Sequence, residues 1–225
     1  MNPPLTAQSL TAQPLSLALT LALLGLLPIG FLVLTSFVKI STVLQIAKSS
    51  LGAQGVPSST VVMALSVALT FLVMAPVGER MLDKLAPAWS NDAGAPQALS
   101  HAFQAAREPL REFLQRNANE RELKRFHQLA RDVRPTDQRD AVAQQDFAVV
   151  IPAFLVTELL EAFMLGFAIF LPFLVVDLVT GNVLLGLGLT SLSVAQVSLP
   201  FKLLLFVAAD GWGLLAQALI ADYRL

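Results

Sequence analysis

Long apolar segments alternate with polar stretches along the chain. Four of them stand out, at about residues 15–37, 60–78, 148–176 and 197–221. A run of roughly 18 or more apolar residues is long enough for a helix that crosses a bilayer, which needs about 20 residues. The pattern therefore predicts four membrane helices. The third segment is too long for one simple span, so we expect it to break near Pro172 or to continue beyond the hydrocarbon.

A polar insert separates the second and third apolar segments. Residues 79–146 hold 22 of the 31 charged residues of the chain. Apolar residues recur in the insert at helical spacing, which predicts amphipathic helices over about 97–117 and 119–133. Proline, glycine and small polar residues predict a loop over 86–96.

These patterns predict an all-α membrane protein made of two long helical hairpins with a polar helical insert between them. The expected division is an N-terminal segment, a first hairpin, the insert and a second hairpin that contains a gate loop at 181–198. Their ranges are 1–14, 15–78, 79–146 and 147–225.

Composition agrees with a membrane protein and excludes several classes. Hydrophobic residues make up 55% of the chain and charged residues 14%, whereas soluble domains average about 45–50% and 25%. The chain has no cysteine, and its two histidines, His101 and His127, lie in the insert. Neither a nucleotide-binding loop nor a hydrolase motif occurs. We therefore expect no enzyme and no cofactor, and the net charge of −1 indicates no nucleic-acid partner.

The charges near the first hairpin predict how the chain lies in the membrane. No basic residue precedes the first apolar run, so we interpret 15–37 as a retained helix and not a cleaved signal. The link 38–59 carries only Lys39 and Lys48, and positively charged short loops favour the cytoplasm. The insert is then expected in the periplasm.

Charged residues inside the apolar segments are the most informative candidates, because an ionisable group at mid-bilayer is costly and usually has a partner. Asp177 at the end of the third segment and Lys202 at the start of the fourth are each unfavourable in the helix dipole. We therefore expect them to pair. Glu158 and Glu161, three residues apart, are interpreted as structural.

Asp210 lies near the centre of the fourth segment, about 12 Å along a straight helix from Lys202. We therefore expect Asp210 to contact another helix or another chain. Mid-depth Trp212 and the small-residue spacing Ala209-x-x-x-Gly213 predict that this helix faces protein. Ala162-x-x-x-Gly166 offers a second such face.

The turn between the third and fourth segments is rich in glycine and in apolar residues with scattered hydroxyls. Irregular backbone at membrane depth is tolerated inside protein or beside a water-filled path. This turn is therefore a candidate pore or gate element, although a plain solvated connector fits the same pattern.

Several motifs resemble the export-gate family of type III secretion systems, SctR/YscR, whose flagellar relative is FliP. The motifs are TSFVKI at 35–40, LG at 51–52, VMAPVG at 73–78, IPAFLVTELLEAFMLGF at 151–167, LPFLVVDLV at 171–179 and LPFKLLLFVAADGW at 199–212. They occur in order on both sides of the variable insert. The lack of a signal peptide favours the injectisome branch of the family.

The resemblance implies a helical ring of identical copies, five in the family, in the bacterial inner membrane. The ring would assemble with the smaller subunits SctS and SctT and with the components SctU and SctV. It would conduct unfolded secretion substrates, and Glu158, Asp177, Lys202 and Asp210 would make contacts between helices or subunits.

The chain departs from the family at the turn, where a run of methionines usually forms a gasket around the pore. Leu189, Thr190 and Ser191 stand there instead. We therefore expect a closure by Leu187, Leu189 and Leu192 with hydroxyls between them.

Two other functions remain open on sequence grounds. A small solute or ion transporter could use Glu158, Asp177 and Asp210 as coupling carboxylates. Such a protein should show inverted repeats, and the two halves have no convincing repeat. An intramembrane enzyme lacks a candidate nucleophile and base.

Overall fold

A computed structural model describes residues 21–22, 25–26, 28–52, 55, 57–89 and 95–223. The predicted segment 1–14 and the start of the first apolar segment lie outside the described residues. The regular structure of the described part is helical. Its helices are α1 (Pro28–Leu34), α2 (Phe37–Leu51), α3 (Ser59–Trp89), α4 (Ala95–Asn117), α5 (Glu120–Asp132), α6 (Phe147–Gly186), α7 (Val194–Ala208) and α8 (Gly211–Ala221), with a 3₁₀ segment at Thr136–Ala141.

Within the described residues, two helices are long and apolar enough to cross a membrane, over Ser59–Lys84 and Phe147–Gly186. Two bent pairs pass the same test if each pair is one span. The first pair is α1 with α2, bent by 79°, and the second is α7 with α8, bent by 58°. The fold is therefore that of an all-α membrane protein.

The insert helices agree with their predicted bounds because local signals end them clearly. The side chain of Asn119 caps α5 by accepting a hydrogen bond from the Arg121 N–H at 2.9 Å. Two acidic residues in the first turn of α5 interact favourably with the positive end of the helix dipole. The predicted loop at 86–96 is wrong at both ends, because α3 continues to Trp89 and α4 begins at Ala95.

The link predicted over 38–59 is mostly a helix. In α2, the apolar side chains at helical spacing are at most 1% exposed: Ile40, Val43, Leu44, Ala47 and Leu51. This stripe packs chiefly against α6. Gly52 then ends α2 with a left-handed φ of 71°, which glycine adopts without steric cost.

The third apolar segment forms one helix of 40 residues, α6. The expected break at Pro172 does not occur, and Pro152 also lies inside the helix. At 1.5 Å per residue α6 is about 60 Å long, twice the roughly 30 Å of the hydrocarbon layer.

The fourth apolar segment is broken where a straight helix was predicted. Between α7 and α8, Asp210 takes a left-handed conformation with φ 50° and ψ 48°. Ala209 and Gly213 therefore do not form one helical face, so the predicted small-residue contact across Ala209-x-x-x-Gly213 is wrong. The 12 Å helical distance from Lys202 to Asp210 also no longer applies.

The insert shares a core with the apolar helices. Phe113 and Leu114 of α4 are buried in the same cluster as Phe154 of α6, and the rings of Phe113 and Phe154 lie 5.7 Å apart. In the turn between α4 and α5, the Asn119 N–H donates to Thr157 Oγ1 at 3.0 Å. The insert is thereby held against α6.

Gly166 allows α2 to approach α6 closely. A Cβ atom at this position would lie 3.0 Å from Cγ2 and 3.2 Å from Cβ of Ile46. Ala162, one turn earlier, is fully buried. The predicted Ala162-x-x-x-Gly166 face is therefore occupied by α2 of the same chain.

We predict that Gly166→Val lowers the free energy of unfolding by about 1–3 kcal/mol, because the branched Ile46 cannot move aside without a shift of α2. The matched control is Gly78→Val in α3, where a Cβ meets nothing within 4 Å. Thermal melting of the full chain in detergent, followed by circular dichroism, compares the two. Equal melting temperatures would show that the α2–α6 contact tolerates a side chain.

Candidate functional sites: two ion clusters and an exposed turn

The first site is a buried ammonium group surrounded by carboxylates from two distant parts of the chain. Nζ of Lys39 lies 2.6 Å from Glu161 Oε2, 2.6 Å from Asp222 Oδ2 and 3.2 Å from Glu158 Oε1. The side chains of Lys39 and Glu158 are 2% and 0% exposed, whereas those of Glu161 and Asp222 are about 40% exposed. The cluster therefore extends from the core to the surface.

Tyr223 closes the cluster from the C-terminal side. Its hydroxyl donates a short hydrogen bond to Glu158 Oε2, and the same oxygen lies 3.3 Å from the Ser36 carbonyl oxygen. Its ring lies 4.5 Å from Lys39 Nζ, a cation–π distance. Burial, together with the charge of Glu158, raises the pKa of the Tyr223 phenol far above its usual range, so the hydroxyl remains a donor.

The three carboxylates around Lys39 do not accept hydrogen bonds from its ammonium group equally. Glu161 and Asp222 each accept one from the ammonium, while Glu158 Oε1 is close to Nζ but has no aligned donor. One cation thus faces three carboxylates. The arrangement is suited to holding helices together.

Sequence reasoning missed Lys39, which it treated as a loop charge. Because Lys39 is buried, only Lys48 of the two lysines remains near the surface to favour a cytoplasmic location for the link. The helical spacing of Ile40, Val43 and Ala47 behind Lys39 was the signal that could have placed it on a buried helix.

The second site joins α6 to α7. Nζ of Lys202 lies 2.6 Å from Asp177 Oδ2, and Ser198 Oγ donates to Asp177 Oδ1 at 2.5 Å. The structure thus brings the two oppositely charged groups together across the hairpin. The helix-dipole reason for expecting this pair is wrong, because α6 continues nine residues beyond Asp177 and α7 begins eight residues before Lys202, whereas the dipole acts within the terminal turns. Ser198, one turn before Lys202, was not recognised from the sequence.

Asp210 is separate from both clusters. It is exposed in the break before α8, and its carboxylate lies over Gly213 in the first turn of that helix. It forms no ion pair within the described part of the chain. Trp212 is half-buried and packs edge-on against Phe206, with the ring centroids 5.0 Å apart. Asp210 is therefore exposed, whereas Trp212 is packed within the same chain.

The turn between α6 and α7 is shorter than predicted, because α6 includes Gly181 and Gly186 and α7 begins at Val194. A Schellman motif ends α6. The Leu189 N–H donates to the Leu184 carbonyl at 2.9 Å and the Gly188 N–H to the Leu185 carbonyl at 3.1 Å. Gly188 supplies the left-handed φ of 70° that this motif needs.

The candidate gate residues all lie on this turn with exposed side chains. They are Leu187, Leu189, Thr190, Ser191 and Leu192. The backbone is ordered by the helix cap while the side chains remain uncovered. The turn can therefore present apolar and hydroxyl groups to another molecule without rearranging α6.

Together, the apolar helices, their internal ion pairs and the exposed turn define an all-α membrane protein with structural polar sites. Comparison with known proteins identifies its family. The FliP family model matches residues 20–219, and the chain belongs to this family.

Three similar relatives span nearly the whole chain. A pathogenicity-related ORF2 of Xanthomonas campestris pv. glycines is 39% identical and aligns over 92% of this chain and 96% of its own. The hypersensitivity response secretion protein HrcR of Ralstonia nicotianae is 38% identical, over 93% and 97%. The virulence protein YscR of Salmonella typhimurium is 36% identical, over 96% and 99%. Injectisome-type names dominate among the relatives.

We predict that Lys39→Met lowers the free energy of unfolding by about 3–5 kcal/mol, because it leaves the buried Glu158 without its cation. The double variant Lys39→Met/Glu158→Leu should recover part of this loss, since removing both buried charges is often nearly neutral. Melting of the full chain in detergent measures both effects.

Lys48→Met is the matched control for the loss of Lys39. Lys48 donates a hydrogen bond to Ser59 at 2.9 Å in an exposed position, so its loss should change stability little. If Lys39→Met and Lys48→Met melted at the same temperature, the Lys39 cluster would not hold the fold together.

Proposed function

We propose that this protein is a pore-forming subunit of a type III secretion export gate that conducts unfolded proteins across the bacterial inner membrane. Members of its family are structural components of the export apparatus and not enzymes. The names of two relatives refer to secretion and virulence. These relationships support a role in the secretion apparatus, and the conducting role rests on the surfaces of α6 and its turn.

The observation that carries the proposal is the length of exposed apolar surface on α6. Large exposed apolar side chains extend along this helix from Val156 to Leu185, a distance of about 44 Å. Even a tilt of about 40° leaves about 34 Å, more than the roughly 30 Å of hydrocarbon. Lipid alone does not cover this surface, so we infer that other protein subunits do.

We infer further that the covering subunits include copies of this chain arranged in a ring, five as in the resembling family. The smaller membrane subunits SctS and SctT and the components SctU and SctV would complete the assembly. We also propose that the insert lies in the periplasm.

Asp210 provides a second, independent argument for an assembly of several subunits. An exposed carboxylate without an ion-pair partner in the described part of the chain lies between two apolar helices, where solvation by lipid is poor. We assign its partner to another subunit. Glu158, Asp177 and Lys202, in contrast, serve contacts within the chain.

The turn after α6 is the proposed gate. In a ring, equivalent turns from several copies would converge, and Leu187, Leu189 and Leu192 would form an apolar constriction. Apolar constrictions restrict ions by dewetting. Thr190 and Ser191 would keep the ring partly polar, unlike a closure made of methionine.

A transporter using Glu158, Asp177 and Asp210 is the alternative. Glu158 is bound within the Lys39 cluster and Asp177 is bound to Lys202, while Asp210 is exposed elsewhere. Three carboxylates in three separate surroundings do not outline one coupling site, so no observation favours this function.

We predict that the detergent-extracted protein, co-expressed with the small membrane proteins of its secretion system, has the native mass of several identical copies with smaller partners. Asp210→Leu should reduce the multi-copy fraction, because the proposed contact between subunits loses its charge. Native mass spectrometry measures both. A wild-type monomer or dimer would contradict the export-gate proposal. An unchanged assembly of Asp210→Leu would contradict only the role of Asp210.

We also predict that Leu189→Ala increases the leak of small ions through the assembled gate, since it shortens an apolar side chain of the constriction. Leu82→Ala is the control, because Leu82 is exposed on α3, outside α6 and the turn. Conductance of the reconstituted complex in a planar bilayer is the measurement. Equal leak in Leu189→Ala and wild type would exclude a seal at this residue.

A further inference from the structure

Outside the insert, one cation and one anion of the described chain have no ion pair. Apart from residues 79–146, the part of the chain that the structure describes holds three basic and five acidic residues. All of them except Lys48 and Asp210 belong to the two ion clusters. Within that part, Lys48 donates a hydrogen bond only to the Ser59 hydroxyl, at 2.9 Å. One positive and one negative charge are therefore left over.

Both charges lie in segments that can cross a membrane. Lys48 is in the last turn of α2, the second helix of the bent pair α1–α2, and Asp210 lies at the break of the bent pair α7–α8. A charged side chain in such a segment usually pairs with another charged group, because lipid solvates it poorly. Each of the two residues therefore needs a partner of opposite charge.

Two contacts join α2 to the α7–α8 pair. Nζ of Lys39 lies 2.6 Å from Asp222 Oδ2, and Nζ of Lys202 lies 3.9 Å from the position that a Cβ atom on Gly52 would take. On α2 the two contacts are thirteen residues apart, which is about 20 Å. Between them α2 and the α7–α8 pair therefore run side by side in opposite directions.

Lys48 and Asp210 lie at the same level between these two contacts. Lys48 is nine residues from the first contact along α2, about 14 Å. Asp210 is twelve of the twenty residues from the first contact to the second, which places it about 12 Å along the same direction. The two levels differ by less than one helical turn. Within one chain the charges nevertheless do not meet, because Lys48 is bound to the start of α3.

A ring of identical copies brings groups of equal level together. If the ring axis runs along the helices, rotation from one copy to the next leaves the level of every residue unchanged. The surface around Lys48 and the surface around Asp210 are different parts of the chain. Contacts between two different surfaces repeat from copy to copy and close into rings, whereas symmetric pairs use the same surface twice.

We propose that Lys48 of one copy forms an ion pair with Asp210 of the next copy. This inference rests on the proposed assembly of several copies, and it names the group that neutralises Asp210 there. The pair would repeat at every contact between neighbouring copies of the ring.

The surroundings of both charges allow close contact between helices. Beside Lys48, the exposed Gln45 and Ser49 line a groove between α2 and α6. Beside Asp210, Gly213 is exposed in the first turn of α8. Small and polar side chains are common where membrane helices approach closely and form hydrogen bonds with each other. A neighbouring α8 can therefore lie along the outer side of α2.

The test is a disulfide cross-link, which is specific because the chain has no cysteine. Lys48→Cys and Asp210→Cys chains carrying different tags are co-expressed with the small membrane proteins of the secretion system, extracted in detergent and oxidised with copper phenanthroline. We expect a disulfide-linked dimer that contains both tags on a non-reducing gel, and no such dimer from either variant alone. The control pairs Lys84→Cys with Asp210→Cys. Lys84 is exposed about 38 Å along α3 from Ser59, so this pair should give no dimer.

Removal of the charge tests the pair without a new bond. We expect Lys48→Met to raise the concentration at which the assembly dissociates by about 30-fold, because Asp210 then lacks its cation in the contact. The double variant Lys48→Met/Asp210→Leu should dissociate no more readily than either single variant. Native mass spectrometry of a dilution series measures both effects. Melting of Lys48→Met expressed alone should match wild type, which separates lost assembly from lost folding.

The failure of this pair can be distinguished from the failure of the export-gate proposal. A monomeric or dimeric wild-type protein would overturn both. A wild-type assembly of several copies without the mixed Lys48→Cys and Asp210→Cys dimer would overturn the pair alone. An assembly weakened by Asp210→Leu but not by Lys48→Met would assign the partner of Asp210 to a different subunit.

Discussion

The described fold depends on the buried ammonium group of Lys39. It connects α2, α6 and the residues that follow α8, which are more than 180 positions apart at the extremes. The apolar surfaces of these helices pack with little directional preference, whereas an ammonium group with two close carboxylates and an aromatic ring accepts few arrangements. Such a group is costly to bury unless all its partners are present. The Lys39 cluster therefore favours one arrangement of the helices. Apolar packing alone would not select this arrangement over others.

The second ion cluster performs a more local task. Asp177, Ser198 and Lys202 join the two helices of the hairpin whose turn we propose as the gate. Their bonds leave the turn side chains free while holding its two ends in register. The Schellman cap at Gly188 adds a defined exit from α6. A rigid frame around an exposed turn is a suitable basis for a seal that must close repeatedly in the same place.

The exposed surfaces divide into those that lipid can cover and those that it cannot. The exposed apolar face of α6 exceeds the thickness of the hydrocarbon layer. Asp210 adds a charge that neither lipid nor the described chain satisfies. These two features suit a subunit that contacts lipid along part of its surface and neighbouring proteins along the rest.

The sequence by itself determined the all-α class, the family resemblance and the insert helices, because apolar periodicity and caps such as Asn119 act within a few residues. The hairpin pair Asp177 and Lys202 was also within reach, since a charged group inside an apolar segment is costly without a partner. Only the tertiary structure decided that Lys39 is buried, that α2 is a helix lying against α6 and that the fourth segment bends at Asp210. The partners of Lys39 are contributed by residues more than 100 positions away, and local pattern carries no information on which distant carboxylates will surround a buried charge.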